Sequence, residues 1–298
     1  MTDLPLDQVR TLLAAVDEGT FDAAARVLHV TPSAVSQRIK ALEQRTGRVL
    51  LLRTKPVELT DSGEVVVRFA RQLARLERDA SAELGLSETR GPVRLPVAVN
   101  ADSLATWFLP ALVEAAAELP VCFDLHREDQ DHTTRLLRQG LVMAAVTSSP
   151  HPVQGCTVTG LGRMRYHAMA APEFVARRLS GGPLREVLGT APVVIFDRRD
   201  DLQDGFHRRL APDRPLPVDR HYVPASEAYV AAVAGGLGWG MVPEAQAAAH
   251  RRAGTLVDLA ADRPVDVPLY WQQWKLDSPA LSALAAAVAR VAASALTR

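Results

Sequence analysis

The stretch Thr31-Pro32-Ser33-Ala34-Val35-Ser36-Gln37-Arg38-Ile39-Lys40 decides how this chain is read. Thr31 suits an N-cap, and Pro32 then falls at the first helical position, where its missing N–H does no harm and its fixed φ fits the first turn. Val35, Ile39 and Leu42 recur at i, i+4 and i+7, which predicts a helix over 32–46 with these three side chains inward. Ser33, Ser36, Gln37, Arg38 and Lys40 are left outside, so the N-terminal half of this helix presents short hydrogen-bonding groups and cations. On the N-terminal side, Leu6, Val9, Leu12, Leu13 and Val16 mark one face of a first helix that ends at Gly19. Thr20 then caps a short second helix, and its inward Ala24, Ala25 and Leu28 let two helix axes approach closely.

On the C-terminal side the charge becomes uneven. From Arg38 through Lys55 there are six cations (Arg38, Lys40, Arg45, Arg48, Arg53, Lys55) and one anion, Glu43, a local excess of five. Over all 298 residues Lys plus Arg equals Asp plus Glu, 34 each, so no global field draws the chain to nucleic acid or to an anionic membrane. A helix, a tight turn and a polar cationic helix suit the major groove, where side chains meet base edges and cations neutralise phosphates. Arg53 and Lys55 lie between two short extended runs, Val49 to Leu52 and Val57 to Leu59, which predicts a basic wing resting on the DNA backbone. The expected partner is double-stranded promoter DNA, and the expected contacts are Ser33, Ser36, Gln37, Arg38, Lys40, Arg53 and Lys55.

Asp61 and Glu64 resemble a capping box, and Val66, Phe69, Leu73, Leu76 and Ala80 follow at steps of 3, 4, 3 and 4. This seam is short. It fits a helix that joins two copies, giving a homodimer or a tetramer built as a dimer of dimers, and it also fits a helix packed on its own domain. Ser87 to Arg90 followed by Gly91-Pro92 predicts a hinge.

Beyond the hinge, β-like runs alternate with helical ones: Val93 to Val99, Val121 to Leu125, Val142 to Val146, Tyr166 to Ala171, Val193 to Phe196, His221 to Val223, Gly238 to Val242 and Val267 to Trp274. The pattern predicts an α/β, two-lobed ligand sensor with a mostly parallel sheet. The expected division is 1–60 for an all-α-rich winged helix-turn-helix, 61–90 for a linker helix and hinge, and 91–298 for the effector domain. Its first lobe takes 91–161 and 266–298, and its second 162–265.

Ligands of such folds lie at the carboxyl ends of strands. Asn100, Asp102, Ser103 and Thr106 follow the first strand and open a helix able to seat a carboxylate. Glu128 and Asp129 follow the second strand, Thr147 the third, Asp197, Asp200 and Asp201 follow Phe196, and Ser226 opens a later helix. A carboxylate seat facing several acids describes a site for a basic amino acid. Each acid taken alone also reads as a helix cap or a solvated loop residue, and Asp102 would repel a ligand carboxylate placed beside it.

No cofactor, metal or catalytic set is expected. Cys122 and Cys156 have neither metal nor redox spacing, and Cys122, inside an apolar run, reads as a small buried hydrophobe. His126, Glu128, Asp131 and His132 lack any metal-motif context. Ala280 to Leu296 is Ala-rich, 17 residues long and contains Arg290, short of the ~20 apolar residues a membrane span needs, so a cytoplasmic chain is expected. The rival of another class is a solute-binding or carrier protein whose helix-turn-helix serves only oligomerisation.

Phe21-Asp22-Ala23-Ala24-Ala25, the stretch 31–40, Leu42-Glu43 and Leu59-Thr60-Asp61-Ser62-Gly63 together resemble the N-terminal signature of LysR-type transcriptional regulators. Leu51-Leu52 stands where many members have Leu-Phe. Asn100 to Trp107, Ala191 to Asp197, Asp200-Asp201, Ser226-Glu227-Ala228 and Leu269-Tyr270-Trp271 resemble the lysine- and arginine-responsive ArgP/LysG branch. That resemblance implies a two-lobed effector domain similar to periplasmic binding proteins, an effector among lysine, arginine and histidine, and control of genes such as a basic amino acid exporter. His126 to His132 departs from the branch pattern, which leaves a different small-molecule effector open.

Overall fold

The computed structural model describes residues 4–86, 92–127 and 130–298. The expected hinge at 87–91 and the acids Glu128 and Asp129 lie outside the described residues.

Three helices form the head: α1 (Leu6–Asp17), α2 (Phe21–Val27) and α3 (Pro32–Thr46). Both proposed caps form, with Thr20 Oγ1 accepting from the Ala23 N–H and Thr31 Oγ1 from the Ala34 N–H, each at 3.2 Å. Gly47 ends α3 in the left-handed region at φ 65°. Val9, Leu12, Ala24, Ala25, Val35, Ile39 and Leu42 fill the head's core. The turn between α2 and α3 passes through His29 at φ 52°, a left-handed non-glycine residue that no sequence signal marked. The wing is shorter than expected: β1 (Leu51–Leu52) pairs antiparallel with β2 (Glu58–Leu59), while Val49 is exposed.

The helix α4 (Asp61–Glu83) leaves the wing and runs to the sensor. Its expected seam is split. Val66 turns into the head's core with Val67 and Ala70, whereas Phe69 and Leu76 face solvent together with Val65. Its first turns thus pack on the head, and Val65, Phe69 and Leu76 leave an apolar stripe outside.

In the sensor, β3 (Val93–Val99) leads into a helix built from α5 (Ala101–Ser103), a π-helical stretch Leu104–Phe108 and α6 (Leu109–Glu118). Then come β4 (Val121–Arg127), α7 (Gln130–Gln139), β5 (Ala144–Thr147), β6 (Cys156–Ala170), α8 (Pro172–Arg178), α9 (Leu184–Val187), β7 (Val193–Ile195) and α10 (Leu202–Leu210). The chain ends with β8 (Arg220–Tyr222), α11 (Ser226–Ala234), β9 (Gly240–Pro243), α12 (Glu244–Ala253), β10 (Val257–Asp258), β11 (Val265–Trp274) and α13 (Pro279–Ala295).

The expected mostly parallel sheet is instead mixed. β3 lies parallel to β4 and β5, and β7 to β8, but β6 pairs antiparallel with β9, β10 and β11, and β11 with β5. The cause is the pair of long strands β6 and β11, which run side by side through both lobes and change register at Leu269/Tyr270, beside Gly162 at φ 131°. β6 starts ten residues before the expected Tyr166, because Gly160, Gly162, Arg163 and Arg165 interrupt its apolar pattern, and pairing with β11, with a bridge from Arg163 to Thr297, holds it extended. Cys122 corrects a second expectation. β4 is an edge strand and its alternate residues face out, so this thiol is exposed. Cys156 is the buried one, and desolvation raises its pKa to about 11.

Candidate functional site

Where the two long strands cross, a cleft of about 680 Å³ opens between the lobes. Its walls are strand ends: Asn100 to Asp102 after β3, Arg127 at the end of β4, Ser148 after β5, Phe196, Asp197 and Arg199 to Gln203 after β7, and Pro224 after β8. Tyr166 of β6, Tyr229 of α11, Met241 of β9 and Val267 of β11 complete it.

Asp102 joins the two lobes. Its Oδ1 accepts from the Ser226 hydroxyl of α11 at 2.7 Å and its Oδ2 from the Tyr166 hydroxyl at 2.8 Å. Burial raises its pKa above the usual carboxylate range, against the lowering effect of these two hydrogen bonds, and Glu227 adds to the rise. Tyr166 is itself pushed well up by burial and by Asp102. Asp200 lies across the cleft, with Oδ2 accepting from the Phe196 N–H at 3.1 Å and Oδ1 from the Leu202 N–H at 3.0 Å. Burial raises its pKa too, and the charge of Asp102 contributes. Gln203 donates to the Tyr229 hydroxyl at 2.9 Å, and that hydroxyl meets the Val194 carbonyl and the Met241 N–H. Two buried acceptors lining the cleft, Asn100 Oδ1 and Gln203 Oε1, have no hydrogen-bond partner among the described residues. Unpaired buried polar atoms are costly, so a ligand donor meeting them would gain more than a solvated contact gives.

Of the expected effector residues, Asn100, Asp102 and Asp197 line the cleft, together with Asp200 and Asp201. Asp197 Oδ1 also accepts from the Arg199 and Asp200 N–H groups, as a turn-forming Asp does. Ser226 is buried and reaches the site through Asp102. Thr106 is a correction: its hydroxyl donates to the Asp102 carbonyl at 2.6 Å, one turn back, and it does not line the cleft. Ser103, fully buried with an unpaired Oγ, and Thr147, fully buried and accepting from the Ser149 N–H, also fall outside the lining. The expected carboxylate seat at the helix start is therefore not formed by these hydroxyls. Arg127 and Arg199 are the cations in the lining, both exposed. Arg127 is the last residue of β4, so the strand-end rule applied one position earlier would have found it. Tyr166 and Gln203 carried no sequence signal.

In the head, Ser33, Gln37, Lys40, Arg53 and Lys55 are exposed and Ser36 is half-buried. Arg38 leans back on α1, with Nη1 3.5 Å from Thr11 Oγ1 and Nε 3.9 Å from the Asp7 carboxylate. It must leave these groups to reach a base. Among the described residues, no group of three or more His, Cys, Asp or Glu side chains could hold a metal ion, and no helix is long and apolar enough to cross a membrane.

A capped helix-turn-helix with a basic wing, joined by one long helix to a two-lobed sensor with a charged cleft, defines a ligand-responsive DNA-binding protein. Residues 6–64 match the family described as bacterial regulatory helix-turn-helix protein, lysR family, and residues 87–293 match the LysR substrate binding domain. The chain belongs to the LysR family of bacterial transcriptional regulators. It is 47% identical over 300 residues to the HTH-type transcriptional regulator LysG of Mycobacterium tuberculosis, covering 100% of this chain and 97% of that one. It is 43% identical over 284 residues to the lysine export transcriptional regulatory protein LysG of Corynebacterium glutamicum, covering 94% and 95%. Among solved structures, ArgP from Mycobacterium tuberculosis superposes with a TM-score of 0.88 at 47% identity, covering 98% of each chain. Full-length LysG from Corynebacterium glutamicum with bound effector Arg gives 0.86 at 41% identity, and full-length LysG from the same organism gives 0.63 at 40%, each covering 99% of this chain and 100% of that one. The two LysG structures therefore differ from each other in overall arrangement.

Proposed function

We propose that this regulator senses a basic amino acid (lysine, arginine or histidine) in the cleft between its lobes and controls genes such as an exporter of that class. The observation that carries the reading is the charge inventory of the cleft. Its described lining holds four carboxylates (Asp102, Asp197, Asp200, Asp201) and two guanidinium groups (Arg127, Arg199). A dibasic amino acid brings the complement, one carboxylate and two cations. Arg127 and Arg199 face the carboxylate in this reading, and Asp102 and Asp200 face cationic nitrogen. The name and structure of one relative support it: LysG of Corynebacterium glutamicum is named for lysine export, and one of its structures holds arginine. The proposed protein is a cytoplasmic, non-catalytic homodimer, joined along the Val65, Phe69 and Leu76 stripe. Its head spans 1–60, its linker 61–90 and its effector domain 91–298.

A thermal-shift screen of the twenty amino acids tests the effector. Lysine, arginine or histidine is expected to raise the melting temperature by mass action, whereas glutamate and leucine leave it unmoved. A response to acidic or apolar amino acids alone would refute the reading. The shift is expected to depend on pH with a definite sign. Burial lets Asp102 and Asp200 keep protons above the usual carboxylate range, and a bound cation favours their ionised forms. Affinity therefore rises as pH climbs through that raised range, levels off once both groups are ionised, and falls away on acidification. Calorimetry in buffers of differing ionisation enthalpy should register proton release on binding within the rising part of the curve.

The head makes a separate prediction. Replacing Lys40, Arg53 or Lys55 by Gln removes one exposed cation each. Operator affinity should weaken for all sequences alike, and the slope of log affinity against log salt should shrink by about 1 for each phosphate left without its cation. Gel-shift titrations over a salt series that give an unchanged slope for all three variants would remove these residues from the interface.

A further inference from the structure

A second cavity, of about 460 Å³, lies between α4 and the sensor, lined by Glu64 and Arg68 on one side and by Arg138, Ser149, His151 and Val153 on the other. One short segment separates the two cavities. Ser148 lines the cleft, and Ser149 to Gln154 line the second cavity. A single buried side chain pins this wall. Gln272 of β11 donates to the carbonyls of Ser149 (3.1 Å) and His151 (2.9 Å) and accepts from the Val153 N–H (3.0 Å). The cleft face and the α4 face thus belong to one segment held by one side chain.

On the far side, α4 grips the sensor with three arginines spaced by three and four residues. Arg68 donates to the Arg138 carbonyl at 3.3 Å, Arg71 to the Gln139 carbonyl, and Arg75 to the Arg94 carbonyl at 3.3 Å. Arg138 and Gln139 end α7, where the helix dipole is negative and cations are favoured. Gln139 donates in return to Glu64 at 2.9 Å. At Gly140, φ is 70° and a Cβ would lie 3.0 Å from the Arg68 Cα, so glycine lets α4 come this close. The gripped elements also meet the cleft: β3 (Val93–Val99), held at Arg94, ends beside Asn100 of the cleft wall, and α7 packs against β3 and β5, whose carboxyl ends reach the cleft at Asn100 and Ser148. Arg71 also pairs with Asp17, and Arg10 with Glu77, so the grip extends to α1 of the head.

We propose that Arg68, Arg71 and Arg75 form a clasp, and that α7 and the segment 148–154 carry the state of the effector cleft to this clasp and hence to the DNA-binding head. This rests on the reading of the cleft as an effector site. The clasp is a set of side-chain-to-carbonyl bonds between α4 and the lobe, the kind of packed contact whose two states a ligand can bias.

Hydrogen–deuterium exchange on the full chain, with and without saturating L-lysine, tests the clasp. In the unmodified protein, L-lysine is expected to protect residues 197–203 in the cleft. It should also change exchange in 64–79, which do not touch the cleft, by about fivefold or more, in the usual range of coupling between sites. In Arg71→Gln the cleft protection should persist while the change in 64–79 disappears. A merely structural role for Arg71 would raise exchange in 64–79 with and without lysine and keep the difference. If Arg71→Gln fails to fold, Arg68→Lys, which keeps the charge and stem but loses the planar fork, supplies the same readout. Cleft protection with no change in 64–79, or an undiminished change in a folded variant, overturns the clasp alone. Absence of cleft protection with lysine, arginine and histidine overturns the reading of the site and the clasp with it.

Discussion

Replacing Asp102 by Asn is expected to abolish the response to lysine and arginine while leaving the unliganded protein as stable as before, or more so. The two halves of this expectation have one cause. Burial disfavours the ionised carboxylate at this position, and only the Ser226 and Tyr166 hydroxyls offset that cost. The Asn carbonyl can still accept from Ser226. Its NH₂ can donate to the Tyr166 oxygen, whose own hydrogen can turn to Met164 Sδ, 3.1 Å away. A neutral isostere thus keeps the hydrogen-bonded frame and sheds the buried charge, which is neutral or stabilising for the fold. Binding changes in the opposite sense. A ligand cation deprived of a desolvated charged partner forfeits about 2–5 kcal/mol, a weakening of some thirtyfold to several thousandfold. Calorimetric titration with L-lysine and L-arginine, paired with melting curves, reads both halves. Affinity within about twofold of the unmodified chain would show that Asp102 is no partner of the ligand cation, and a collapse in melting temperature would make its role structural.

The same residue shows why the cleft was only partly legible in the sequence. The strand-end rule picks out Asn100, Asp102, Asp197, Asp200 and Asp201 because it depends on local order, a β-like run followed by polar residues. Which of these face one another depends on where β6 and β11 cross. That crossing is set by pairing between segments about a hundred residues apart, such as Val265 with Tyr166. Asp102, read from sequence as an obstacle to a ligand carboxylate, becomes an acceptor for hydroxyls from a strand and a helix far along the chain. The hydroxyls of Ser103 and Thr106, near in sequence and attractive as a seat, are spent elsewhere: Ser103 is buried, and Thr106 donates to the Asp102 carbonyl one turn back. The head behaves differently. Its caps, alanine contacts and apolar spacing act within a few residues of one another, so both N-caps and the inward set of α3 are legible from sequence alone. Its two surprises, His29 at positive φ and Arg38 folded back on α1, depend on packing between helices.

Gly63→Ala is expected to disable the head and spare the sensor. The resemblance to the family stretch Leu59-Thr60-Asp61-Ser62-Gly63 draws attention to this glycine without saying why it is there; the structure supplies the reason. A Cβ at Gly63 would stand 1.8 Å from the Leu50 carbonyl oxygen and 2.9 Å from Leu59 Cδ2, far inside any tolerable contact. The oxygen has no room to retreat. It accepts from the Thr60 N–H at 3.1 Å, while the Thr60 hydroxyl donates to the neighbouring Val49 carbonyl at 2.7 Å and accepts from the Gly63 N–H at 3.1 Å. Those bonds are the junction at which the strand leaving α3 meets the start of α4, so one methyl group must either break them or push α4 off the head. Loss of such a buried hydrogen-bonded junction together with overpacking belongs with the severest single substitutions, about 4 kcal/mol or more. In calorimetry the head's unfolding should move to much lower temperature or vanish, and binding to promoter DNA should be lost at physiological salt. The sensor's transition should still rise on adding L-lysine, since the cleft lies wholly within residues 100–267. A Gly63→Ala chain with normal melting and normal DNA affinity would mean that the wing and α4 can separate at little cost. The close approach of Leu50 to Gly63 would then not be what sets the angle at which the head meets its linker.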